Sequence, residues 1–328
     1  MKSIVVSQTG PPEVLELQEV NKPEPAADQV LIHVEAISVN FADIKARQGQ
    51  YHGVAADTAF TPGLDCAGVI VEIGGLVKRF KVGQRVMAFP SGGSYAEFAV
   101  APESLAYLIP DELSSETAAA SLTVGVTAYN VIQKMARLER GETILIHAAA
   151  GGIGSTAIQL AKLFGASRII GTVGSDEKAT KAKSFGADEV INYRSDDFVE
   201  KVNGLTGGKG VDVILDTVAG DNFEKSLKCL APFGRIVTFG HANDRSVPGI
   251  AKTDELHSSC RSVIGYSTGT YRKNRPEFLR EGVEIITEYL IQKELEIVIS
   301  KRFALKDAAQ AHAHIESRRS IGKVVLIP

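Results

Sequence analysis

The sequence predicts an α/β protein with two domains, one compact and β-rich and the other a doubly wound parallel sheet. Three features of the 328-residue chain support this prediction. The length suits two domains, at roughly 100–200 residues each. The first third contains short strands broken by turns, whereas the middle alternates apolar strands with amphipathic helices. Apolar residues make up 44% of the chain, enough for a sizeable core.

Strand patterns dominate the first third of the chain. The segment from Met1 to Ser7 is apolar with alternation, and Gln29 to Val39 alternates apolar and polar residues as a half-buried strand does. Further strands are predicted at Gly68–Ile73 and Arg85–Phe89, with glycine-containing turns between them. Many strands with little helix favour a compact barrel-like domain over a parallel sheet.

From Leu122 onward, strands and helices alternate. A strand at Thr143–His147 precedes a helix at Gly152–Phe164, and a strand at Arg168–Val173 precedes a helix at Asp176–Phe185. Three more strands are predicted, at Glu189–Asn192, Val211–Asp216 and Arg235–Phe239. This alternation is typical of βαβ units and of a parallel sheet covered on both faces.

The alternation stops near Ile264. A long helix is predicted from Pro276 to Leu295, a shorter one from Leu305 to Glu316, and a final strand from Lys323 to Ile327. Because one strand cannot form a sheet alone, we expect the tail to fold back onto the first domain. The predicted domains are therefore residues 1–122 together with 266–328, and residues 123–265.

Charge and cysteine content exclude several classes of protein. The net charge is −3 without a long basic run, so neither nucleic acid nor an anionic membrane is an expected partner. The three cysteines are far apart, which argues against a disulfide framework or a zinc knuckle. No signal peptide and no apolar run long enough to span a membrane are apparent. A cytoplasmic enzyme is the expectation.

The clearest motif, HAAAGGIG, follows the first strand of the predicted parallel sheet and precedes a helix. It matches the dinucleotide-binding fingerprint with Ala149 at the first of three glycine positions. Gly151 lets the backbone approach a pyrophosphate, Gly152 and Ile153 complete the turn, and Gly154 lets the helix pack on the strand. The helix N-terminus supplies N–H groups and a partial positive charge for phosphates. A dinucleotide-binding Rossmann domain is predicted, with a purely structural turn as the alternative.

The end of the second strand indicates which dinucleotide binds. NAD-binding domains carry an acid there, about 20 residues after the glycines, for the ribose 2′-OH. Here the strand ends without one, and Asp176 and Glu177 fall at the expected helix start, where acids are favoured. Ser175, Lys178 and Tyr193 are predicted to receive a 2′-phosphate, with a solvated helix face as the alternative for Lys178. NADPH is therefore preferred over NADH.

Eight motifs distributed along nearly the whole chain point to one family. They are GPPEVLEL, VNFADIKARQGQY, PGLDCAGVI, GQRVMAF, HAAAGGIG, GTVGSDEK, FGADEVINYRSDDF and SRRSIGKVVLIP. Together they resemble the quinone oxidoreductase (zeta-crystallin-like) branch of the medium-chain dehydrogenase/reductases. The resemblance implies a split catalytic domain with a GroES-like β-barrel, an inserted Rossmann domain and a cleft between them. It also implies a homodimer.

No zinc site is expected. The zinc alcohol dehydrogenases of this superfamily carry a Cys at the position of Asn40 and a His at the position of Leu64. Zinc needs three or four N, S or O ligands held together. The close pair His312 and His314 is spaced i,i+2, which does not put both on one helix face, and both are predicted to lie at the surface.

Without a metal to polarise an oxygen, the expected acceptors are quinones and other conjugated carbonyls, which spread the incoming charge. Asn40 is predicted to donate a hydrogen bond to the substrate oxygen, and Tyr51 to stack on or bond a flat substrate. The alternative role of Asn40 is to satisfy backbone hydrogen-bonding groups, and the alternative role of Tyr51 is to pack within its loop. Thr127 resembles the family residue beside the nicotinamide. Asp43 and Arg47 are expected to order this segment through a salt bridge.

Further cofactor contacts are predicted at the end of the fifth strand. Phe239 and Gly240, together with Gly171, are expected to line the nicotinamide and ribose, because ligands bind at the carboxyl ends of a parallel sheet. Arg318 resembles a family cofactor contact, and simple surface exposure explains it nearly as well.

Three functions stay open. The first is an NADPH:quinone oxidoreductase that uses no metal. The second has the same fold and cofactor but reduces the double bond of an enone or 2-alkenal. The third is a non-catalytic NADPH-binding or RNA-binding protein, and the acidic net charge counts against RNA.

Overall fold

The computed structural model describes residues 1–50, 58–242 and 247–328. The chain divides into two compact units: unit 1 comprises Met1–Val124 and Arg272–Pro328, and unit 2 comprises Gly125–Tyr271. No helix within the described ranges is long and apolar enough to cross a membrane.

The strands are, in chain order, β1 (Lys2–Val6), β2 (Leu15–Glu19), β3 (Gln29–Val39), β4 (Cys66–Ile73), β5 (Arg85–Ala88), β6 (Phe98–Pro102), β7 (Ala106–Leu108), β8 (Thr143–Ile146), β9 (Arg168–Val173), β10 (Glu189–Asn192), β11 (Val211–Asp216), β12 (Leu230–Thr238), β13 (Ser262–Gly265), β14 (Ile299–Ala304) and β15 (Lys323–Ile327). The α-helices are α1 (Phe41–Arg47), α2 (Ser115–Tyr129), α3 (Gly152–Leu163), α4 (Asp176–Ser184), α5 (Phe198–Leu205), α6 (Asp221–Leu227), α7 (Thr253–Ser259), α8 (Thr268–Asn274), α9 (Arg280–Ile291) and α10 (Ala308–Glu316). A π-helical segment covers Asn130–Ala136, and short 3-10 helices cover Pro12–Val14, Glu103–Leu105, Pro276–Leu279 and Leu305–Asp307.

A seven-stranded sheet organises unit 1. Its order is β14-β15-β3-β4-β5-β7, with β6 paired to β3 as well. The long strand β3 is central, because it pairs with β4, β6 and β15, all antiparallel. Its pairing with β15 confirms that the tail folds back onto the first domain. Buried side chains from β3 and β15, including Val34, Ile37 and Leu326, contribute to one core.

A six-stranded parallel sheet organises unit 2, in the order β10-β9-β8-β11-β12-β13. Leu145, Ile170, Ile214 and Ile236 from its strands share a buried core. The doubly wound parallel sheet is thus confirmed. Chain order reverses between β8 and β11, and in such sheets the carboxyl ends of the strands at the reversal form a ligand crevice.

The helix predicted from Pro276 to Leu295 is wrong in its extent. A 3-10 turn precedes α9, which ends at Ile291. Lys293 adopts a left-handed φ of 58°, and the N–H of Glu294 donates to the carbonyl oxygen of Tyr289 at 2.9 Å. This arrangement caps the helix, and it usually has a glycine at the left-handed position. Because lysine stands there, no glycine marks the end in the sequence.

Candidate active site and cofactor-binding turn

The glycine-rich turn between β8 and α3 has the geometry that a dinucleotide pyrophosphate requires. A Cβ on Gly154 would lie 2.3 Å from the carbonyl oxygen of Ala148, so no side chain fits there. At Gly151, which precedes the first residue of α3, a Cβ would approach only that same oxygen, at 3.3 Å. Gly152 and Ile153 form the first residues of α3 and are partly exposed. The turn is therefore bare on one face and offers helix N–H groups to an anion.

Ala149, at the first glycine position, fits because of a glycine on the neighbouring strand. Its N–H donates to the carbonyl oxygen of Thr172 at 3.0 Å, which holds the turn against the end of β9. A Cβ on Gly171 would come within 2.8 Å of the Ala149 Cβ. Gly171 thus makes room for the Ala149 methyl group, and its predicted contact with the cofactor stays a prediction.

The end of β9 carries a helix cap in place of a ribose-binding acid. Ser175 precedes α4, and its hydroxyl accepts a hydrogen bond from the N–H of Lys178 at 3.3 Å. Asp176 begins α4, as predicted, and its carboxylate accepts a hydrogen bond from the Asn192 side-chain amide at 2.9 Å. Asp176, the first acid after β9, is therefore hydrogen-bonded to a residue of the neighbouring strand β10.

Polar groups gather around Gly174, the residue that follows β9. A Cβ on Gly174 would lie 2.7 Å from the Tyr193 hydroxyl and 3.6 Å from Nε of Arg194. Tyr193 is 46% exposed. Together with Ser175 these side chains form a corner with a hydroxyl donor and a guanidinium, which suits a phosphate. The predicted contacts of Ser175 and Tyr193 with a phosphate stay predictions. The sequence analysis did not propose Arg194, although a basic residue directly after Tyr193 was a usable signal.

A buried neutral cluster joins β8, β9 and α6. His147 Nδ1 lies 2.8 Å from the Thr172 hydroxyl, and Nε2 lies 2.9 Å from the Ser226 hydroxyl. Burial lowers the pKa of His147, while nearby Asp216 acts in the opposite sense. The imidazole is therefore held neutral between two hydroxyls. Sequence reasoning missed this cluster, because its members come from distant segments.

The ends of β11 and β12 lie side by side, on one side of the reversal between β8 and β11. Asp216 Oδ1 accepts hydrogen bonds from two main-chain N–H groups and from Asn222 Nδ2 at 3.1 Å. The N–H of Phe239 donates to the Asp216 carbonyl at 3.0 Å. A Cβ on Gly240 would lie 2.5 Å from the Thr217 hydroxyl. Phe239 and Gly240 thus follow β12 at the carboxyl edge of the sheet, where Ala149 also lies, and their contact with the cofactor stays a prediction.

Thr127 is buried within unit 2. Its hydroxyl lies 2.8 Å from the Thr268 hydroxyl, which donates to Tyr266 Oη at 3.3 Å. The side-chain amide of Asn130 also donates to Tyr266 Oη, at 3.1 Å. The predicted place of Thr127 beside a nicotinamide stays a prediction.

Asn40 lies in unit 1 at the start of α1 and is only 7% exposed. Its Nδ2 donates to Asp65 Oδ1 at 2.7 Å and to the Ser38 carbonyl at 3.2 Å, and its Oδ1 accepts from Lys323 Nζ at 2.8 Å. Both amide hydrogens are therefore engaged. To donate to a substrate oxygen, Asn40 would have to exchange the longer bond, to Ser38.

Two buried aspartates flank Asn40. Asp43 Oδ2 accepts from the Asn40 N–H at 2.8 Å and from Tyr95 Oη at 3.2 Å. Burial, helped by the charge of Asp65, raises the pKa of Asp43 from 3.8 to about 7. Burial also raises the pKa of Asp65, which Lys323 and a hydrogen bond from Thr123 oppose. A buried carboxyl with few compensating charges favours its neutral form.

Two expectations for this region are wrong. The ion pair of the buried Arg47 is with Glu316, at 2.5 Å, and not with Asp43. His312, predicted at the surface, is fully buried on the inner face of α10 and lies 3.0 Å from Tyr95 Oη. Burial, together with the Arg47 charge, lowers the pKa of His312 to about 3.

Of the other predicted residues, Tyr51 lies outside the described residues. Arg318 is exposed in unit 1 just after α10, with a left-handed φ of 57°. Across the ranges 1–50, 58–242 and 247–328, no group of three or more His, Cys, Asp or Glu side chains is arranged to hold a metal ion.

Known proteins resemble the chain over its whole length. Residues 26–111 match the family described as alcohol dehydrogenase GroES-like domain, and residues 152–287 match the one described as zinc-binding dehydrogenase. A quinone oxidoreductase of Salmonella typhimurium is 38% identical over 97% of both chains. A 2-haloacrylate reductase of Burkholderia is 34% identical over 99% of this chain and 98% of its own.

A solved structure agrees with the described fold. Escherichia coli quinone oxidoreductase complexed with NADPH superimposes with a TM-score of 0.93, at 34% identity and full coverage of both chains. Given these identities over the full length, the chain belongs to the quinone oxidoreductase family of the medium-chain dehydrogenase/reductases.

Proposed function

We propose that this chain is an NADPH-dependent oxidoreductase that transfers reducing equivalents to quinones without a metal. The observation that carries the proposal is the bare glycine turn at the switch point of the unit 2 sheet, beside a second strand that ends without an acid. NADPH supplies the hydride when it is bound. The protein supplies binding, orientation and charge.

Each part of the turn has a separate task in this proposal. Gly151 to Gly154 and the start of α3 hold the pyrophosphate. The corner of Ser175, Lys178, Tyr193 and Arg194 receives the 2′-phosphate, which supports NADPH over NADH. Ala149 is held between β8 and β9, so the turn is preformed.

The nicotinamide end of the cofactor is assigned to residues at the carboxyl ends of the strands. Gly171, Phe239 and Gly240 line the nicotinamide and ribose, with Thr127 beside the ring and Arg318 as a further contact. The geometry of Phe239 and Gly240 supports this assignment, because both follow β12 at the edge that carries the phosphate turn.

On the acceptor side, Asn40 and Tyr51 orient a flat conjugated carbonyl. Quinones accept hydride without a Lewis acid, because the negative charge that develops spreads over the ring and onto oxygen. If Asn40 donates to that oxygen, Asn40→Ala lowers kcat/KM for quinone. An unchanged kcat/KM would remove Asn40 from this role.

Reduction of an activated double bond is the second candidate function. It is favoured by the relative named 2-haloacrylate reductase, which is nearly as similar over its full length as the quinone oxidoreductases. Haloacrylates, enones and 2-alkenals all place a double bond in conjugation with a carbonyl, so the same site requirements hold.

A cytoplasmic homodimer completes the proposal. Cys66, Cys229 and Cys260 are all free thiols, which supports a reducing compartment. The dimer follows from the family resemblance. Light scattering coupled to size-exclusion chromatography tests it, and a monomer at micromolar concentration would overturn it.

The test is NADPH oxidation, followed by the loss of its near-ultraviolet absorbance, against a panel of acceptors. The panel contains para-benzoquinone, phenanthrenequinone, a 2-alkenal, an enone and a 2-haloacrylate, each with NADPH and with NADH. Quinone turnover selective for NADPH and unaffected by a chelator supports the proposal.

Other outcomes redirect the assignment. Preference for the alkenal or haloacrylate assigns double-bond reduction and retains the cofactor site. NADPH binding without turnover of any acceptor assigns a non-catalytic binding protein, and turnover that a chelator blocks means that a metal is required.

A further inference from the structure

Lys323 places a buried ammonium group directly against Asn40. It begins β15, and the next residue, Val324, pairs with Val39 at the end of β3. Lys323 Nζ donates to Asn40 Oδ1 at 2.8 Å and to the Val39 carbonyl at 2.8 Å, and the residue is only 4% exposed. The two strands thus bring a lysine to the residue that is proposed to contact the acceptor.

The buried position of this ammonium requires compensation. Removing an ammonium from water is costly unless opposite charge and hydrogen bonds replace the lost hydration. Burial lowers the pKa of Lys323, whereas Asp65 and Asp43 raise it. The hydrogen bonds described for Nζ nevertheless go to Asn40 and Val39, so the ammonium orders neutral groups while the carboxylates balance its charge from nearby.

An ammonium group can only donate hydrogen bonds, whereas a side-chain amide has one accepting and one donating end. The end of Asn40 that faces Lys323 must therefore be the oxygen. Nδ2 is then directed to Asp65 Oδ1 and the Ser38 carbonyl. With an apolar residue at position 323, only the acceptors at the Nδ2 end, Asp65 Oδ1 and the Ser38 carbonyl, would favour this orientation, and the oxygen end would lose its donor.

We propose that Lys323 is a positioning residue for Asn40, which fixes the amide with its N–H groups on the side away from β15. The effect of this positioning on catalysis rests on the proposed function, in which Asn40 contacts the acceptor. Lys323 acts on the acceptor only through Asn40, and not through the cofactor-binding turn of unit 2.

Local backbone geometry supports a dedicated placement of this lysine. Gly322 has a left-handed φ of 63°, and a Cβ there would lie 2.3 Å from the Val298 carbonyl oxygen. The N–H of Lys323 donates to that same oxygen at 2.7 Å. The glycine therefore sets the angle at which the chain enters β15 and carries Lys323 to Asn40.

A double-mutant cycle tests the proposal. Lys323→Met, Asn40→Ala and the double variant are compared with the unchanged protein for quinone kcat/KM and for NADPH Kd. We expect Lys323→Met to lower kcat/KM on the order of 100-fold, as misplacement of a substrate-orienting group does, with NADPH Kd unchanged within about twofold. In the Asn40→Ala background, the same change should lower kcat/KM by less than about threefold.

The matched control is Lys301→Met. Lys301 is exposed on β14, where its backbone pairs with Val324, so the change removes an ammonium from the adjacent strand without touching Asn40. The proposal would be overturned by additive losses in the cycle, or by an unchanged kcat/KM for Lys323→Met or for Asn40→Ala. An equal loss of kcat/KM in Lys301→Met would also overturn it.

A second measurement does not depend on activity. The side-chain amide signals of Asn40 are identified in ¹H–¹⁵N spectra by their absence from Asn40→Ala. We expect Lys323→Met to shift or broaden them and Lys301→Met to leave them unchanged, whereas unmoved signals in Lys323→Met would overturn the proposal. If Lys323→Met does not fold, Lys323→Gln, which lacks the charge, replaces it in both measurements. If no acceptor is reduced by the unchanged protein, the proposed function fails and the spectra still decide the role of Lys323.

Discussion

Each unit contains a buried polar cluster, and the two clusters are built from different chemistry. In unit 1, Asp43, Asp65 and Lys323 are ionisable groups that surround the Asn40 amide. In unit 2, the His147 imidazole is held neutral between two hydroxyls, beside a turn made mainly of glycine and backbone N–H groups.

The difference indicates what each region tolerates. A cluster of buried charges responds to pH, because proton uptake changes its balance. A turn without side chains has no such response, but one added methyl group meets the backbone directly. We therefore expect the Asn40 cluster of unit 1 to be sensitive to changes of charge and the glycine turn of unit 2 to be sensitive to added volume.

The largest expected effect is that of Asp43→Asn on stability. The folded-state pKa of Asp43, about 7, is raised above its unfolded value of 3.8. The folded protein therefore binds the proton more tightly, and stability falls as pH rises from about 4 to about 7 and is constant above. Asn cannot ionise, so it avoids this loss. We expect the free energy of unfolding of Asp43→Asn to exceed that of the unchanged protein by as much as ~4 kcal/mol above pH 7, and by much less near pH 4.

Urea unfolding across this pH range measures the difference in the free energy of unfolding between Asp43→Asn and the unchanged protein. Asp111→Asn, which changes an exposed aspartate of the same unit, is the control and should leave the pH profile as it is. A variant at Asp43 that is less stable than the unchanged protein at pH 8 would contradict the prediction.

Added volume in unit 2 is tested by Gly154→Ala. The new methyl group would lie 2.3 Å from the Ala148 carbonyl oxygen, so the turn must shift. We expect NADPH affinity to fall about 100-fold, within the ~1–3 kcal/mol that overpacking costs. Calorimetric titration measures it. Gly204→Ala in α5, where a Cβ meets nothing within 4 Å, should bind NADPH normally, and equal affinity of the two variants would refute the steric account.

Acid should destabilise unit 2 at a higher pH than it destabilises unit 1. Each unit has a buried histidine with a pKa below the unfolded value of 6.5, about 3 for His312 and lowered for His147. The unfolded chain therefore binds more protons as pH falls below 6.5, and stability is lost, by ~2 kcal/mol at pH 5 for His312. In unit 1, protonation of Asp43 offsets this loss.

Hydrogen exchange with mass spectrometry, corrected for intrinsic rates, locates the effect. We expect protection of β8 and β11 to fall more between pH 7 and pH 5 than protection of β3 and β4. Equal losses in both sheets would mean that Asp43 does not compensate for His312.

The smallest expected effect concerns cofactor choice. Lys178→Ala should weaken NADPH binding about tenfold and leave NADH unchanged, as expected for one charge-assisted phosphate contact of roughly 1.5 kcal/mol. Lys181→Ala, at an exposed position later in the same helix, is the control. Equal losses of NADPH and NADH affinity in Lys178→Ala would assign the lysine a structural role.

Local features were predictable from the sequence, and long-range ones were not. The glycine turn and the helix start at Asp176 depend on residues within a few positions, so spacing alone indicated them. The roles of Lys323 and His312 depend on Asn40 and Tyr95, which are distant in sequence and reach them only through the pairing of β15 with β3 and the packing of α10. The sequence led us to propose Asn40 as a site residue, but it did not predict the hydrogen bond from Asn40 to Asp65.

The return of β15 to β3 also orders the steps by which the chain folds during synthesis. The unit 2 sheet uses contiguous residues, so all its strands are available before β14 and β15 are made. The unit 1 sheet cannot be completed until β15 has been synthesised. Until then, Asp65 and Asp43 lack the ammonium group of Lys323 that balances their charge. Domains usually fold from the N-terminus onward. Here the middle of the chain is expected to become native first, and the first strands made should stay accessible to chaperones longest.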